Sequence, residues 1–287
     1  MAKTVLVTGG NSGIGFALSK LLATEHGCAV LLGSRDEKKG SDAVAAIKKL
    51  GGKSVELVVI DVASDASVAA AAEAVKAMGV TLYALVNNAG IGLNNFDGKG
   101  GAEAIVNVNT KGPKRVSEAF VGMIDPKIGR IVNMSSGVAS MWVREQDAAT
   151  KALYSNPDIT QEQLDADVAK QLAAGNVGMG GGYGISKAAL TAYTLVQAKT
   201  HPNLVCVSIT PGFIQTNMTK GFGAKLSPEQ GCVSALKTLF GDVTSGFYYG
   251  SDGLRSPLIC TRDPGTPEYG GEPNPDPTRY NNNTYNN

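Results

Sequence analysis

The fold is decided near the start of the chain, where residues 4–15 read TVLVTGGNSGIG. An apolar run ends in a glycine-rich turn that includes Gly9, Gly13 and Gly15, and an amphipathic stretch follows at once. This order predicts a strand, a turn and a helix, the first unit of a dinucleotide-binding fold. Gly9 lets the chain turn, Gly13 lets the backbone approach a pyrophosphate, and Gly15 lets the helix pack closely on the strand. The helix N-terminus then offers N–H groups and a positive dipole end to phosphates.

Short runs rich in Val, Ile and Leu alternate with longer amphipathic stretches along most of the chain. The predicted strands are residues 4–8, 29–33, 54–60, 82–87, 130–134 and 204–209, and the predicted helices are residues 13–26, 36–50, 67–78, 101–123 and 183–201. Several strands are apolar throughout, as expected for parallel strands that helices cover on both faces. The alternation predicts an α/β fold of the Rossmann type, with a doubly wound parallel sheet, in a single domain over residues 1–260.

Residues 137–182 interrupt this alternation and are too long for an ordinary connection. Within them Thr160 and Gln163 have the spacing of a capping box, which predicts the start of a helix. Apolar residues then recur every four positions, at Leu164, Val168 and Leu172, as on a helix with one apolar stripe. The segment therefore predicts a helical insertion in the domain. A glycine-rich run over residues 178–184 follows and is interpreted as a flexible hinge.

Two further segments are distinguished by position and composition. Residues 213–230 follow the last predicted strand and are expected to form the substrate loop. Residues 261–287 are rich in Pro, Gly, Asn and Asp and offer little apolar surface to offset the entropy of ordering. We therefore expect this tail to be disordered.

Composition and charge narrow the possible partners. Lys and Arg number 26 against 25 Asp and Glu, so charge gives no reason to expect a nucleic-acid or membrane partner. The start of the chain has no signal-peptide pattern, and no apolar run is long enough for a membrane span. The four cysteines have no metal-ligand spacing and are expected to be reduced. We expect a cytoplasmic protein without a metal site.

The end of the second predicted strand decides which dinucleotide fits. An acidic residue there would accept hydrogen bonds from a ribose 2′-hydroxyl and repel a 2′-phosphate. This chain has Ser34 and Arg35 instead, so a hydroxyl and a guanidinium face the place of that phosphate. Asp36 follows and is expected to cap the next helix. The pattern favours NADPH over NADH, and the alternative is that Arg35 is a solvated surface charge.

Five motifs connect these observations. They are Thr8-Gly9-x-x-x-Gly13-x-Gly15, Asn87-Asn88-Ala89-Gly90, Ser135-Ser136, Tyr183-x-x-x-Lys187 and Pro211-Gly212. In this order, over residues 3–250, the chain resembles the short-chain dehydrogenase/reductases. Its glycine spacing is similar to that of the single-domain branch of the family. The long stretch between Ser136 and Tyr183 is similar to that of the monomeric NADPH-dependent carbonyl reductases.

The resemblance implies a catalytic set of Asn109, Ser136, Tyr183 and Lys187. Tyr183 and Lys187 are four residues apart on a predicted helix, so both project from one face. A free tyrosine has a pKa of about 10, and the Lys187 ammonium is expected to lower it, so that Tyr183 can protonate a carbonyl oxygen. Ser136 would hydrogen-bond the same oxygen, and Asn109 would hold a water for a proton relay to Lys187. The alternative for Tyr183 alone is a buried core residue.

The resemblance also implies the contacts to NADPH. Asp61 and Val62 would lie beside the adenine, and Asn88, Ala89 and Gly90 under the ribose. The other candidates are Gly9, Asn11, Ser12, Gly13, Ile14 and Gly15 around the phosphates, Ser34 and Arg35 at the 2′-phosphate, Tyr183 and Lys187 at the nicotinamide ribose, and Pro211, Gly212, Ile214 and Thr216 at the carboxamide.

A small-molecule carbonyl substrate is expected to bind outside the carboxyl ends of the strands, between the insertion and residues 213–230. The candidate contacts are Ser136, Trp142 and Phe213, with Met141, Met218 and Phe222 as further wall residues. Each apolar candidate is equally plausible as a packing residue. An apolar wall would suit a bulky, hydrophobic substrate.

The sequence thus predicts an oxidoreductase that reduces a ketone, aldehyde or quinone carbonyl with hydride from NADPH. One alternative is an NAD(P)-dependent alcohol dehydrogenase of a dedicated biosynthetic pathway. Another is a non-catalytic NADP(H)-sensing protein, which the four catalytic candidates disfavour because a sensor needs no proton donor. In the reductases that the chain resembles, the insertion covers a surface where other family members dimerise, so a monomer is expected.

Overall fold

The computed structural model describes residues 2–92, 101–260, 262–272 and 274–280, arranged around one sheet of parallel strands. The strands are β1 (Thr4–Val7), β2 (Ala29–Ser34), β3 (Val55–Val59), β4 (Leu82–Asn87), β5 (Arg130–Met134), β6 (Val205–Ile209) and β7 (Tyr248–Tyr249). Their order is β3-β2-β1-β4-β5-β6-β7, and every neighbouring pair is parallel. The predicted doubly wound sheet is therefore confirmed. Sequence reasoning missed β7 because two residues are too few to form a pattern.

Helices connect the strands and cover both faces of the sheet. They are α1 (Gly13–Thr24), α2 (Glu37–Lys49), α3 (Asp65–Ala77), α4 (Gly101–Val106), α5 (Gly112–Phe120), α6 (Gly137–Arg144), α7 (Ala148–Tyr154), α8 (Gln161–Ala173), α9 (Tyr183–Thr200), α10 (Val233–Phe240) and α11 (Pro277–Tyr280). A π-helical turn, Asn107–Lys111, joins α4 to α5 within the single helix predicted there. Among the described residues, no helix has both the length and the apolar character needed to cross a bilayer.

The alternation of side chains along the strands builds a separate apolar layer on each face of the sheet. Val5 and Val7 belong to the layer under α1, α2 and α10, whereas Leu6 belongs to the layer under α3 and α5. All three side chains are fully buried. The sheet is thus buried on both faces, which explains why several of its strands are apolar throughout.

The insertion is helical and packs on α9. It comprises α6, α7 and α8, and its apolar residues form a third cluster with α9. The predicted capping box is present, because the Thr160 hydroxyl accepts from Gln163 N and the Gln163 side chain accepts from Thr160 N. The glycine run before α9 contains consecutive positive φ angles at Gly180 (70°), Gly181 (60°) and Gly182 (126°), which only glycine adopts readily. The insertion therefore packs on α9 and ends in a glycine turn directly before Tyr183.

The expectation of a disordered tail over residues 261–287 is wrong for residues 262–272 and 274–280. These residues fold back on the domain, and Tyr280 has no exposed surface. Residues 281–287 lie outside the described part of the chain. The tail is polar overall, so its composition did not indicate that a few of its side chains are buried against the domain.

Arg262 anchors the tail. Its guanidinium forms two hydrogen bonds of 2.8 Å with the Asp252 carboxylate, and its side chain has no exposed surface. Close by, the Arg255 guanidinium lies 3.6 Å from the ring centroid of Phe247 and 4.8 Å from that of Tyr269. These contacts hold the tail beside β7, where Arg255 also pairs with the edge strand.

Replacing Arg262 tests this anchoring. Arg262→Met leaves the Asp252 carboxylate without its partner and should lower the free energy of unfolding by about 3 kcal/mol. Arg279→Met is the matched control, because Arg279 forms an ion pair with Glu272 at the surface of the same tail, which should contribute about 0–1 kcal/mol. The measurement is urea denaturation of both variants. Equal losses would contradict the account.

Candidate functional site

The glycine-rich turn after β1 has no room for side chains. Gly9 and Gly13 have positive φ angles of 65° and 54°. A methyl group on Gly15 would lie 2.3 Å from the Gly9 carbonyl oxygen and 2.4 Å from Asn88 Nδ2. The Ser12 side chain makes no capping hydrogen bond to α1. The first N–H groups of the helix therefore remain available to a phosphate.

Thr8 joins the carboxyl ends of β1 and β4. Its hydroxyl accepts hydrogen bonds from the main-chain N–H groups of Asn88 and Ala89, each at 3.0 Å. The Asn88 side-chain amide donates in return to the Thr8 carbonyl oxygen at 2.8 Å. These bonds fix the loop after β1 to the loop after β4. The chain continues from β1 toward one edge of the sheet and from β4 toward the other. Such a switch point is where ligands bind in doubly wound sheets.

A cavity of about 470 Å³ runs along the carboxyl ends of the strands. It is lined by most of the residues predicted to hold a dinucleotide, namely Gly9, Asn11, Ser12, Gly13, Ile14, Gly15, Ser34, Arg35, Asp61, Val62, Asn88, Ala89, Gly90, Tyr183, Lys187, Pro211 and Thr216. Gly212 and Ile214 do not line it, and the Ile214 side chain is buried against Gly231. The cavity thus brings together residues that are distant in sequence.

The end of β2 differs in detail from the prediction. Arg35 is exposed and lines the cavity. The Ser34 hydroxyl instead donates to the Asp36 carbonyl oxygen at 2.8 Å and so stabilises the turn after β2. Asp36 caps α2 as expected, by accepting from Lys39 N at 2.9 Å, and this hydrogen bond lowers the pKa of Asp36. Lys39, which sequence reasoning missed, also lines the cavity, and its ammonium lies 3.6 Å from the carboxylate of Asp36, which lines the cavity as well.

Tyr183 and Lys187 lie on the first two turns of α9 and are buried. The Lys187 ammonium is 5.7 Å from the centroid of the Tyr183 ring, and it donates to the carbonyl oxygen of Met134, the last residue of β5, at 2.7 Å. The Tyr183 ring lies against the backbone of Gly92, where a methyl group would come within 2.2 Å of the ring. Sheet and helix together thus place both groups at the inner wall of the cavity.

The two serines after β5 have different surroundings. The Ser135 hydroxyl lies 2.6 Å from that of Thr191 and donates to the Lys187 carbonyl oxygen at 3.0 Å, so it joins β5 to α9. Ser136 caps α6, where its hydroxyl accepts from Val138 N at 3.3 Å. The Ser136 hydroxyl also interacts with the Tyr183 phenol, and this interaction acts to lower the tyrosine pKa. Of the pair, Ser136 is the one that meets the tyrosine.

Burial sets the protonation of the tyrosine and the lysine. It raises the pKa of Tyr183 to about 12, although the interaction with Ser136 acts in the opposite direction. It lowers the pKa of Lys187 to about 8. The sequence predicted a lowering of the tyrosine pKa by the Lys187 charge, but the pKa is raised instead, because removing the phenolate from water dominates. Near neutral pH the phenol keeps its proton and most of the lysine is charged.

Asn109 lies in the π-helical turn and is completely buried. Its side-chain amide accepts from Ile91 N at 2.9 Å and donates to Ile91 O at 2.8 Å and to the Ser186 hydroxyl at 3.0 Å. The side chain thus fixes the loop after β4 to the start of α9. The relay water predicted at Asn109 stays a prediction.

Of the apolar residues predicted to line a substrate cleft, one is buried in the core of the insertion and another borders the cavity. Trp142 is 2% exposed, packs on Tyr154 and donates from its indole nitrogen to the Asn176 carbonyl oxygen. The ring belongs to the core of the insertion and does not line the cavity, so its contact with substrate stays a prediction. Met218 lines the cavity, whereas the half-buried Phe213 does not.

Two further wall candidates also lie outside this cavity: Met141 is half-buried, and Phe222 is 45% exposed. A second cavity of about 650 Å³ adjoins the first and is lined by Gly13, Pro228 and residues between 215 and 224. The predicted substrate loop therefore borders open space beside the glycine-rich turn.

The family model of the short-chain dehydrogenases matches residues 3–162, which is more than half of the chain. The chain belongs to the short-chain dehydrogenase/reductase family. It is thus an oxidoreductase of a family that uses nicotinamide dinucleotides and acts on small molecules. This membership agrees with the glycine-rich turn and with the placement of Tyr183 and Lys187.

Relatives cover nearly the whole chain. It is 34% identical over 266 residues to (+)-neomenthol dehydrogenase of Arabidopsis thaliana, covering 81% of this chain and 89% of the relative. The structure of salutaridine reductase from Papaver somniferum matches with a TM-score of 0.76 at 27% identity, over 86% of this chain and 99% of that one. NADPH-bound carbonyl reductase from chicken fatty liver matches with a TM-score of 0.66 at 26% identity, over 89% and 98%.

Gly15→Ala tests the geometry of the turn. The added methyl group would overlap the Gly9 carbonyl oxygen, so the turn must shift and NADPH binding should weaken at least tenfold, or about 1.4 kcal/mol. Gly27→Ala is the matched control, because Gly27 follows the other end of α1, has a φ of 61° and has no neighbour within 4 Å of an added methyl group. Fluorescence titration with NADPH measures both. Unchanged affinity in Gly15→Ala would contradict the account.

Proposed function

We propose that the protein is an NADPH-dependent carbonyl reductase that converts a ketone, aldehyde or quinone carbonyl to an alcohol, with Tyr183 as the proton donor. The observation that carries the proposal is the meeting of the Tyr183 and Ser136 hydroxyl groups beside the buried Lys187 ammonium. Neither a dinucleotide sensor nor a purely structural domain needs such a group of side chains. Several relatives are reductases by name, including salutaridine reductase and carbonyl reductase.

The protonation of the site suits reduction. A phenol with a pKa of about 12 is neutral at physiological pH and so carries the proton that a reduced carbonyl oxygen must receive. Below its pKa of about 8, Lys187 is charged, and this charge stabilises the phenolate that forms as the proton leaves. Ser136 can donate to the same substrate oxygen and hold it in line with Tyr183. In this proposal Ser136 binds the substrate oxygen and Tyr183 protonates it.

The residues around the cavity fit NADPH. When bound, this cofactor supplies the hydride for the carbonyl carbon. The glycine-rich turn offers helix N–H groups to the pyrophosphate, and Asp61 and Val62 offer a surface for the adenine. Arg35 and Lys39 present two positive charges where a 2′-phosphate would lie, and a guanidinium can bind a phosphate through two parallel hydrogen bonds. These cations favour NADPH over NADH.

The insertion supports a monomer. It covers α9 with an apolar cluster that includes Leu164 and Val168 of α8, so this surface is buried within the chain itself. Substrate would enter between the insertion and residues 213–230, where Met218 borders the cavity. Of the predicted apolar wall residues only Met218 lines the cavity, so the preference for a hydrophobic carbonyl compound rests on that residue.

Turnover with and without the phenol tests the proposed activity. NADPH oxidation is followed with a panel of quinones, cyclic diones and aromatic aldehydes. Tyr183→Phe removes only the hydroxyl group and should lower kcat by about 10²–10⁴, the usual contribution of a general acid, while NADPH affinity is preserved. Tyr193→Phe, at a buried tyrosine of the same helix, is the control and should retain activity. Tight NADPH binding without turnover of any carbonyl would instead favour the dinucleotide sensor.

Arg35→Asp tests the cofactor preference. Reversing the charge beside the 2′-phosphate should raise the KM for NADPH about 10–100-fold, as expected for loss of a charge-assisted hydrogen bond, and leave or improve that for NADH. Lys53→Asp makes the same change in charge at an exposed residue outside the cavity and should change neither the KM for NADPH nor the KM for NADH. Steady-state kinetics with both dinucleotides decide the matter. An unchanged preference in Arg35→Asp would refute the role of Arg35.

A further inference from the structure

Thr210 occupies a fixed point at the carboxyl end of β6, directly before the Pro211 that lines the cavity. Its main-chain N–H donates to the Tyr249 carbonyl oxygen in β7 at 3.0 Å. Its carbonyl oxygen accepts from the Ser234 hydroxyl in α10 at 2.9 Å. The backbone of Thr210 is thus tied to both β7 and α10.

The Thr210 hydroxyl joins two segments that border the site. It accepts a hydrogen bond from Gly137 N at 3.1 Å and another from Gly212 N at 3.3 Å. Gly137 directly follows Ser136 at the start of α6, and Gly212 begins the loop that leads to Thr216 of the cavity wall. One oxygen atom therefore connects the ends of both segments.

This arrangement relieves a conflict at Ser136. The first N–H groups of a helix have no partner within the helix and need acceptors from elsewhere. The Ser136 hydroxyl already accepts from Val138 N and also interacts with the Tyr183 phenol, so it does not satisfy the whole first turn. By accepting from Gly137 N, Thr210 fixes the turn from outside. The orientation of Ser136 toward Tyr183 then depends on a residue that does not itself line the cavity.

We infer that Thr210 is a positioning residue, whose hydroxyl holds the Ser136 segment and the Gly212 segment in a fixed relation across the substrate cleft. The part of this inference that concerns catalysis rests on the proposed function. The hydrogen bonds themselves do not, and they can be tested in the protein alone.

Three variants separate positioning from general stability. Thr210→Val keeps the shape of the side chain and removes the acceptor, whereas Thr210→Ser keeps the acceptor and removes a methyl group. Thr24→Val is the matched control, because Thr24 is also half-buried but its hydroxyl donates only within α1, to the Lys20 carbonyl oxygen. Thermal unfolding of each variant establishes that it is folded at the assay temperature.

Amide hydrogen exchange of the protein without ligands tests the hydrogen bonds. In Thr210→Val, the amides of Gly137 and Gly212 should exchange about tenfold faster or more, because each loses its acceptor. Their exchange in Thr210→Ser and in Thr24→Val should match that of the wild type. Unchanged exchange in Thr210→Val would overturn the inference.

Kinetics test the consequence for catalysis. Thr210→Val should lower kcat about 10–100-fold, the scale of the loss when a reacting group is displaced by a fraction of an ångström to 1 Å, while NADPH affinity changes little. Thr210→Ser should recover wild-type kcat. A wild-type kcat in Thr210→Val, or an equal loss in Thr24→Val, would overturn the positioning role. A wild type that reduces no carbonyl would instead refute the proposed function, and the exchange experiment would still decide whether Thr210 holds the two segments.

Discussion

The hydrogen bond between the Lys187 ammonium and the Met134 carbonyl oxygen is the contact on which the rest of the site depends. An ammonium group removed from water loses its hydration, which is why burial lowers the pKa of Lys187. The main-chain carbonyl at the end of β5 replaces part of that hydration at 2.7 Å. The charge can then persist near neutral pH, close to the Tyr183 ring. Without this acceptor, the lysine would favour its neutral form and the phenol would lose its nearest positive partner.

The fold makes this contact possible because β5 and α9 lie side by side, although the insertion separates them in the sequence. Strand β5 ends at Met134 and leads directly to Ser136, and α9 begins at Tyr183 after the helices of the insertion. The hydroxyl groups of Ser135 and Thr191 fix the helix on the strand. Burial of Tyr183 and Lys187 thus follows from packing of the sheet, α9 and the loop after β4. The same burial that positions the groups also shifts both pKa values.

Sequence reasoning predicted the frame of this site because its signals are local. The glycine spacing after β1 reflects steric contacts within a few residues, and the four-residue spacing of Tyr183 and Lys187 follows from helix geometry. The predicted strands likewise match the first six observed strands to within one residue at each end, since each is a short run rich in apolar residues. Asp36 was predicted as a cap for the same reason, because its partner Lys39 N is three residues away.

Features that depend on distant contacts were not predictable. An apolar Trp142 has the same sequence signal whether it lines a cleft or packs on Tyr154. Nothing local indicates that Arg262 meets Asp252, or that a polar tail returns to the domain. The direction of the Tyr183 pKa shift was also missed, because desolvation depends on everything packed around the ring, whereas the sequence reveals only the neighbouring charge.

The pH dependence of kcat/KM for the carbonyl substrate, measured at saturating NADPH, tests the central claim most directly. Because the charged lysine stabilises the departing phenolate, the account predicts a rate that is highest below pH 8 and falls as Lys187 loses its proton around a pKa of about 8. A profile that stayed flat until the ordinary range of lysine, at about pH 10, would contradict it.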